Sequence, residues 1–80
     1  MAIKLTFKDL ERAIPAFEHR YRACLSWYED ADEDDKEYCK SMLSNARYWL
    51  DMRNQCVREA NKIMGKTVYD EYVFPYEKGE

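Results

Sequence analysis

From Met42 to Met64 two columns of apolar side chains repeat every seven residues: Met42, Trp49, Cys56 and Ile63 in one, Leu43, Leu50, Val57 and Met64 in the other. Ala46 and Ala60 fill the seam between them. A seven-residue step returns a side chain to nearly the same side of an α-helix, whereas a strand alternates faces at every residue, so the pattern dictates one long amphipathic helix. Aspartates at 32, 34 and 35 offer an N-cap and favourable charge at the positive end of the helix dipole. Gly65 supplies the left-handed stop expected after a final turn. A helix over residues 33–64 would be a rod of about 48 Å at 1.5 Å per residue, long for a chain of 80 residues.

A second helical pattern precedes it, over residues 6–30. Leu10, Ala13, Ile14, Phe17, Tyr21, Cys24, Leu25 and Tyr28 recur at steps of three and four and span about 100° of a helical wheel. Thr6 and Asp9 have the spacing of a capping box, with aspartate a weaker substitute for glutamate. Pro15 interrupts the stripe. A proline costs a helix interior roughly 3 kcal/mol, which predicts a kink or break, with residues 7–14 a separate turn and Pro15 opening the main helix.

The two ends read differently. Residues 1–5 suit a short strand or arm, and Thr67–Tyr76 is rich in strand-formers, with Val68, Tyr72, Phe74 and Tyr76, and Asp70 among them, on one face of an extended reading. The tail 67–80 either forms a small strand pair with residues 2–5 or lies as an arm across the helices or onto another subunit. With only two glycines and two prolines, loops must be few and short.

The expected fold is therefore mainly α: one domain, an antiparallel two-helix hairpin turning near Ala31. That register sets Cys24 opposite Met42, Phe17 opposite Trp49 and Leu10 opposite Cys56. The second helix has an apolar arc of about 160°, wider than the ~100° that one partner helix covers. The terminal segments, a second copy of the chain, or both must cover the rest, so a homodimer is a natural expectation.

Composition excludes several classes. Hydrophobic residues at 46% and aromatics at 15% exceed what an unstructured acidic segment carries. Cys24, Cys39 and Cys56 are far apart, odd in number and on apolar faces, which reads as reduced thiols in a cytoplasmic-type compartment. No signal-type stretch opens the sequence and nowhere do eighteen apolar residues run together, so no membrane association is expected.

Catalysis finds no footing either. The one histidine, His19, falls on the polar side of the first helix between Glu18 and Arg20, and Ser26, Ser41 and Ser44 have no base nearby. No glycine-rich phosphate loop is present. Asp30, Asp32 and Asp34 have the first spacings of a calcium loop, but Asp35 stands where a glycine must turn the chain and Ser41 where a bidentate glutamate belongs. The expectation is a non-enzymatic protein with no cofactor and no metal site.

Between the helices the chain reads Glu29-Asp30-Ala31-Asp32-Glu33-Asp34-Asp35-Lys36-Glu37, seven carboxylates against one lysine. Basic residues outnumber acidic ones in both flanking segments, so charge is segregated into one patch. A solvated turn and an acid-rich helix start account for two or three of these side chains, each contributing a few tenths to 1 kcal/mol through the dipole. Seven repel one another. The functional reading is a docking surface for a basic partner whose Lys/Arg channel normally receives phosphates, with carboxylates steering association at long range.

Trp27 beside the patch and Tyr48 on the second helix fall outside the apolar stripes and are candidate interface anchors, while Tyr28 and Tyr38 point toward the seam. The candidate partner-binding set is thus Trp27, Glu29, Asp30, Asp32, Glu33, Asp34, Asp35, Glu37 and Tyr48. Arg53 sits in the middle of the apolar arc and must find a partner: Asp70, Glu71 or Glu11 as an internal pin, or a ligand or subunit contact. Direct nucleic-acid binding is disfavoured, because Lys40, Arg47, Arg58 and Lys62 on the second helix and Arg20 and Arg22 on the first are spread around the wheel, partly balanced by Asp51 and Glu59, and the connection repels phosphate.

The functional expectation is a small acidic interaction protein, an inhibitor occupying a basic surface of a nucleic-acid-binding host protein. Its size and charge are similar to those of phage-borne inhibitors such as anti-CRISPR proteins, an analogy of style rather than of motif. The alternatives are a structural or regulatory helical oligomer and a small-ligand or nucleotide sponge built around Arg53 and tyrosines at a subunit interface.

Overall fold

Helix α1 spans Phe7–Asp30 and helix α2 spans Lys36–Met64 in the computed structural model, which describes residues 5–76. Early α1 packs on late α2 and late α1 on early α2. Leu10 and Ile14 cluster with Val57 and Ala60, while Tyr21 and Cys24 cluster with Ala46 and Leu50. The helices are therefore antiparallel, and Phe17 stacks on Trp49 at 5.7 Å between ring centroids, in the register the turn near Ala31 requires. Buried side chains of the size of Leu10, Leu50 and Val57 each stabilise the fold by about 1.5–3 kcal/mol.

The helix ends follow from local chemistry. Thr6 and Asp9 form a reciprocal capping box, the Asp9 amide donating to Thr6 Oγ1 at 3.2 Å and the Thr6 amide to Asp9 Oδ2 at 3.0 Å. These hydrogen bonds hold the Asp9 carboxyl below its ordinary range. Asp35 is the N-cap of α2, its Oδ1 accepting from the Tyr38 amide at 3.2 Å. The helix thus starts three residues later than the charge pattern suggests, because 32–35 close a turn of their own: the Asp35 amide donates to the Asp32 carbonyl and the Asp34 amide to Asp32 Oδ1. Gly65 ends α2 at φ 70°, its amide donating to the Asn61 and Lys62 carbonyls.

Two expectations change. The break at Pro15 does not occur: Pro15 lies inside one continuous helix. It is exposed, as is Glu11, whose carbonyl loses its intrahelical partner, so water can serve that carbonyl while Leu10, Ile14 and Tyr21 anchor both sides. The strand pair is not formed among the described residues, and the expected strand over 2–5 lies, Leu5 apart, outside them. Instead, 67–76 is an extended arm that folds back along α2 toward the interhelical turn. Its inward-facing side chains are Tyr69, Tyr72 and Phe74, not the strictly alternating set, since Val68 and Tyr76 remain 38% exposed.

The arm is held by side chains. Asn61 accepts from the Val68 and Tyr69 amides at 2.9 and 3.1 Å and donates to the Tyr69 carbonyl at 3.0 Å. One heptad back, Asn54 accepts from the Tyr72 amide at 3.1 Å and donates to its carbonyl at 2.9 Å. These carboxamides supply what a neighbouring strand would otherwise provide. The arm covers one flank of α2; the other flank, with Tyr48 and Ile63 at 56% and 50% exposure, is left open.

Candidate functional site

The seven carboxylates lie together at the hairpin tip, all on exposed residues. Four have an identifiable structural contact or placement. Asp35 caps α2, Asp32 closes the turn, and Glu37 lies in the first turn of α2 at the positive end of its dipole. Glu29 Oε2 accepts from the Tyr76 hydroxyl at 2.7 Å, a bond that pushes the Tyr76 pKa upward. Among the described residues Asp30, Glu33 and Asp34 make no side-chain hydrogen bond or ion pair. Glu29 and Asp30 also end α1, the negative pole of that helix, whose last turn holds no basic residue. Tip charge therefore exceeds what capping uses and opposes the α1 dipole.

An open cleft of 590 Å³ lies beside the tip, lined by Tyr28, Glu29, Glu33, Lys36, Lys40 and Tyr76 among others. The Tyr76 ring meets Tyr28 edge-on at 5.0 Å, so the end of the arm braces the acidic turn. Tyr38 does not turn into the seam; it is 41% exposed. Among the described residues no group of three or more His, Cys, Asp or Glu is arranged to hold a metal ion. What the tip offers is a dense field of negative charge at the end of a two-helix hairpin.

Arg53 is 3% exposed and lies between the two apolar clusters. Its Nε donates to Glu18 Oε1 at 3.2 Å, its Nη1 to the Asp70 carbonyl at 2.9 Å and to Asn54 Oδ1 at 3.2 Å, and its guanidinium lies 3.6 Å from the Tyr72 ring centroid. The carboxylate partner is Glu18 rather than Glu11, Asp70 or Glu71; Asp70 contributes its main chain and Glu71 pairs with Arg58 at 2.7 Å. Glu18 is a hub, also accepting from Arg22 Nε at 3.0 Å and the Tyr72 hydroxyl at 3.4 Å. Burial raises its pKa, but the hydrogen bonds from Arg22 and Arg53 outweigh that and leave it lowered. In this geometry the charge of Arg53 is spent inside the chain, pinning arm to hairpin.

Trp27 and Tyr48 belong to the open flank. Trp27, 54% exposed, walls a groove together with Trp49, and Tyr48 meets the Trp49 ring edge-on at 5.0 Å. Tyr48 is thirteen residues past the N-cap of α2, about 20 Å along the helix, so it stands away from the tip. Trp27 is one turn before Asp30 and adjoins it. The thiols of Cys24 and Cys56 are pushed up by burial, which suits packing rather than reactivity.

Comparison with protein-family models, curated proteins and solved structures yields no match. The site's own chemistry carries the functional reading. The sequence alone assigns no site role to Glu18, Asn54, Asn61 or Tyr76. Asn54 and Asn61 did leave a signal: two carboxamides one heptad apart, each directly following or nearing an apolar column.

Proposed function

We propose that this chain is a non-catalytic interaction protein whose acidic tip occupies a basic, nucleic-acid-binding surface of a partner protein. The observation that carries this reading is the exposed trio Asp30, Glu33 and Asp34, carboxylates without a structural contact among the described residues, set among four more at one end of the molecule. A fold that needed only caps would not place like charges so densely, nor end α1 on Glu29 and Asp30. Such a field raises the encounter rate with a cationic groove and competes with phosphates for it. An inhibitor of the anti-defence type carried by phage, acting in the host cytoplasm, is the biological role this chemistry suits.

The test is capture of partners from a host lysate by the tagged full chain, identified by mass spectrometry, at low and high salt. The triple variant Asp30→Asn, Glu33→Gln, Asp34→Asn removes charge without touching a cap. Expected is capture of a nucleic-acid-binding protein that weakens with salt and is lost in the variant. Capture that is indifferent to both would end the proposal.

A further inference from the structure

The open flank carries a second, chemically different site. A groove of 710 Å³ runs between the helices on the face away from the arm, lined among others by His19, Arg20, Ala23, Trp27, Asn45 and Trp49. Its size is within the roughly 300–1,000 Å³ of small-molecule sites. Arg20 lies over the Trp49 ring at 5.0 Å, and among the described residues it has no acidic partner. Trp49 thereby contacts both Phe17 and Arg20, while the Trp27 ring, more than half exposed, makes no ring contact among the described residues and is available for stacking. Among the described residues no carboxylate lines the groove, although the chain carries 16 acidic residues against 13 basic ones. Two tryptophans, a small alanine, a carboxamide and a guanidinium with no acidic partner among the described residues line one cavity.

We infer that this groove binds a planar aromatic anion of the nucleoside monophosphate class, with the base on Trp27 above Ala23 and the phosphate at Arg20 and His19. Trp27 and Arg20 are seven residues apart, about 10 Å along α1, a separation suited to the two ends of such a ligand. Asn45 in the lining offers both a donor and an acceptor to a base edge. Arg20 is about 15 Å down the helix from Asp30. That exceeds a screening length of roughly 8 Å at physiological salt, so the acidic tip does not expel a single phosphate held there. A polynucleotide continuing past Trp27 would run into the tip and be repelled. The ligand is therefore the free mononucleotide.

The chain has two tryptophans and both line this groove, so their fluorescence, excited to the red of nucleotide absorption, reports on it directly. Titration of the full-length protein with adenosine, guanosine, cytidine and uridine monophosphates, paralleled by calorimetry, is expected to give saturable quenching for at least one. Arg20→Gln should weaken that binding by about tenfold or more, the loss of one charge-assisted contact, with an unchanged circular dichroism spectrum. Trp27→Phe should reduce the quenching, and inorganic phosphate or the free nucleoside alone should each bind at least about tenfold more weakly. The absence of saturable binding by every mononucleotide overturns the inference. So does equal binding of the free nucleoside, or tighter binding of a short single-stranded oligonucleotide than of its monomer.

Discussion

Asn54 holds Tyr72 by both of its main-chain groups, accepting from the amide at 3.1 Å and donating to the carbonyl at 2.9 Å across eighteen positions of sequence. Asn61 does the same for Tyr69 and takes the Val68 amide as well. The arm is bound as a strand would be, but by two carboxamides on a helix. This explains why a segment with strand composition forms no strand among the described residues.

Removing one carboxamide should loosen the arm without unfolding the hairpin. Asn61→Ala strips three hydrogen bonds from Val68 and Tyr69 and is expected to cost about 1–3 kcal/mol in urea denaturation. Hydrogen exchange locates the effect: the Val68 and Tyr69 amides should lose protection while those around Leu50 and Val57 keep it. Unchanged exchange at Tyr69 would mean that the arm is held by its rings instead.

Glu18 makes stability depend on pH in a defined direction. Its pKa in the folded chain is lowered, so its contribution is complete above the unfolded value of about 4.3 and is lost as pH falls through the lower folded value. Thermal unfolding between neutral pH and pH 3 should show a steeper acid loss for the native chain than for Glu18→Gln. At neutral pH that substitution should cost about 1–3 kcal/mol, less than the 3–5 typical of a fully buried pair, because the Glu18 side chain is 26% exposed. Arg53→Lys should be damaging despite keeping the charge, since an ammonium cannot both fork toward Glu18 and Asp70 and lie flat on Tyr72.

What could be read from the chain, and what could not, divides by sequence distance. The seven-residue columns, the cap at Asp35, the stop at Gly65 and the acidic turn are local or periodic patterns, and each one is visible without coordinates. The Arg53–Glu18 contact and the Trp27–Trp49 groove join the two helices, so they emerge only once the register is fixed. Glu18 was hidden further by its i,i+4 pairing with Arg22, which reads as an ordinary surface ion pair. The helix runs unbroken through Pro15 because the local cost of about 3 kcal/mol is outweighed by the burial of Leu10, Ile14 and Tyr21 on both sides of it, each contributing roughly 1.5–3 kcal/mol, and that burial depends on the second helix.

That competition is measurable. Pro15 is exposed within α1, so Pro15→Ala restores an amide donor to the Glu11 carbonyl without disturbing the core. Up to about 3 kcal/mol of helix cost is relieved, offset by roughly 0.4–1 kcal/mol from the greater freedom of the unfolded chain. The variant should unfold at higher urea concentration with an unchanged slope. A destabilised variant would show that the proline fixes a helix shape on which the packing of Phe17 against Trp49 depends.

The tip distinguishes carboxylates that hold the fold from those that do not. Asp35→Ala removes the N-cap of α2 and should cost about 1 kcal/mol. In a domain of this size that is a fall of roughly 4–8 °C in melting temperature. Glu33→Gln with Asp34→Asn removes two charges that make no hydrogen bond or ion pair among the described residues, so the melting temperature should hold or rise as repulsion among the remaining carboxylates falls. Any rise should shrink at high ionic strength, because screening relieves the same repulsion in the native chain. Circular dichroism melts at low and high salt read both variants side by side. A pair of neutralised residues that destabilises as much as the missing cap would show that Glu33 and Asp34 serve the fold, and the case for a tip set aside for a partner would go with them.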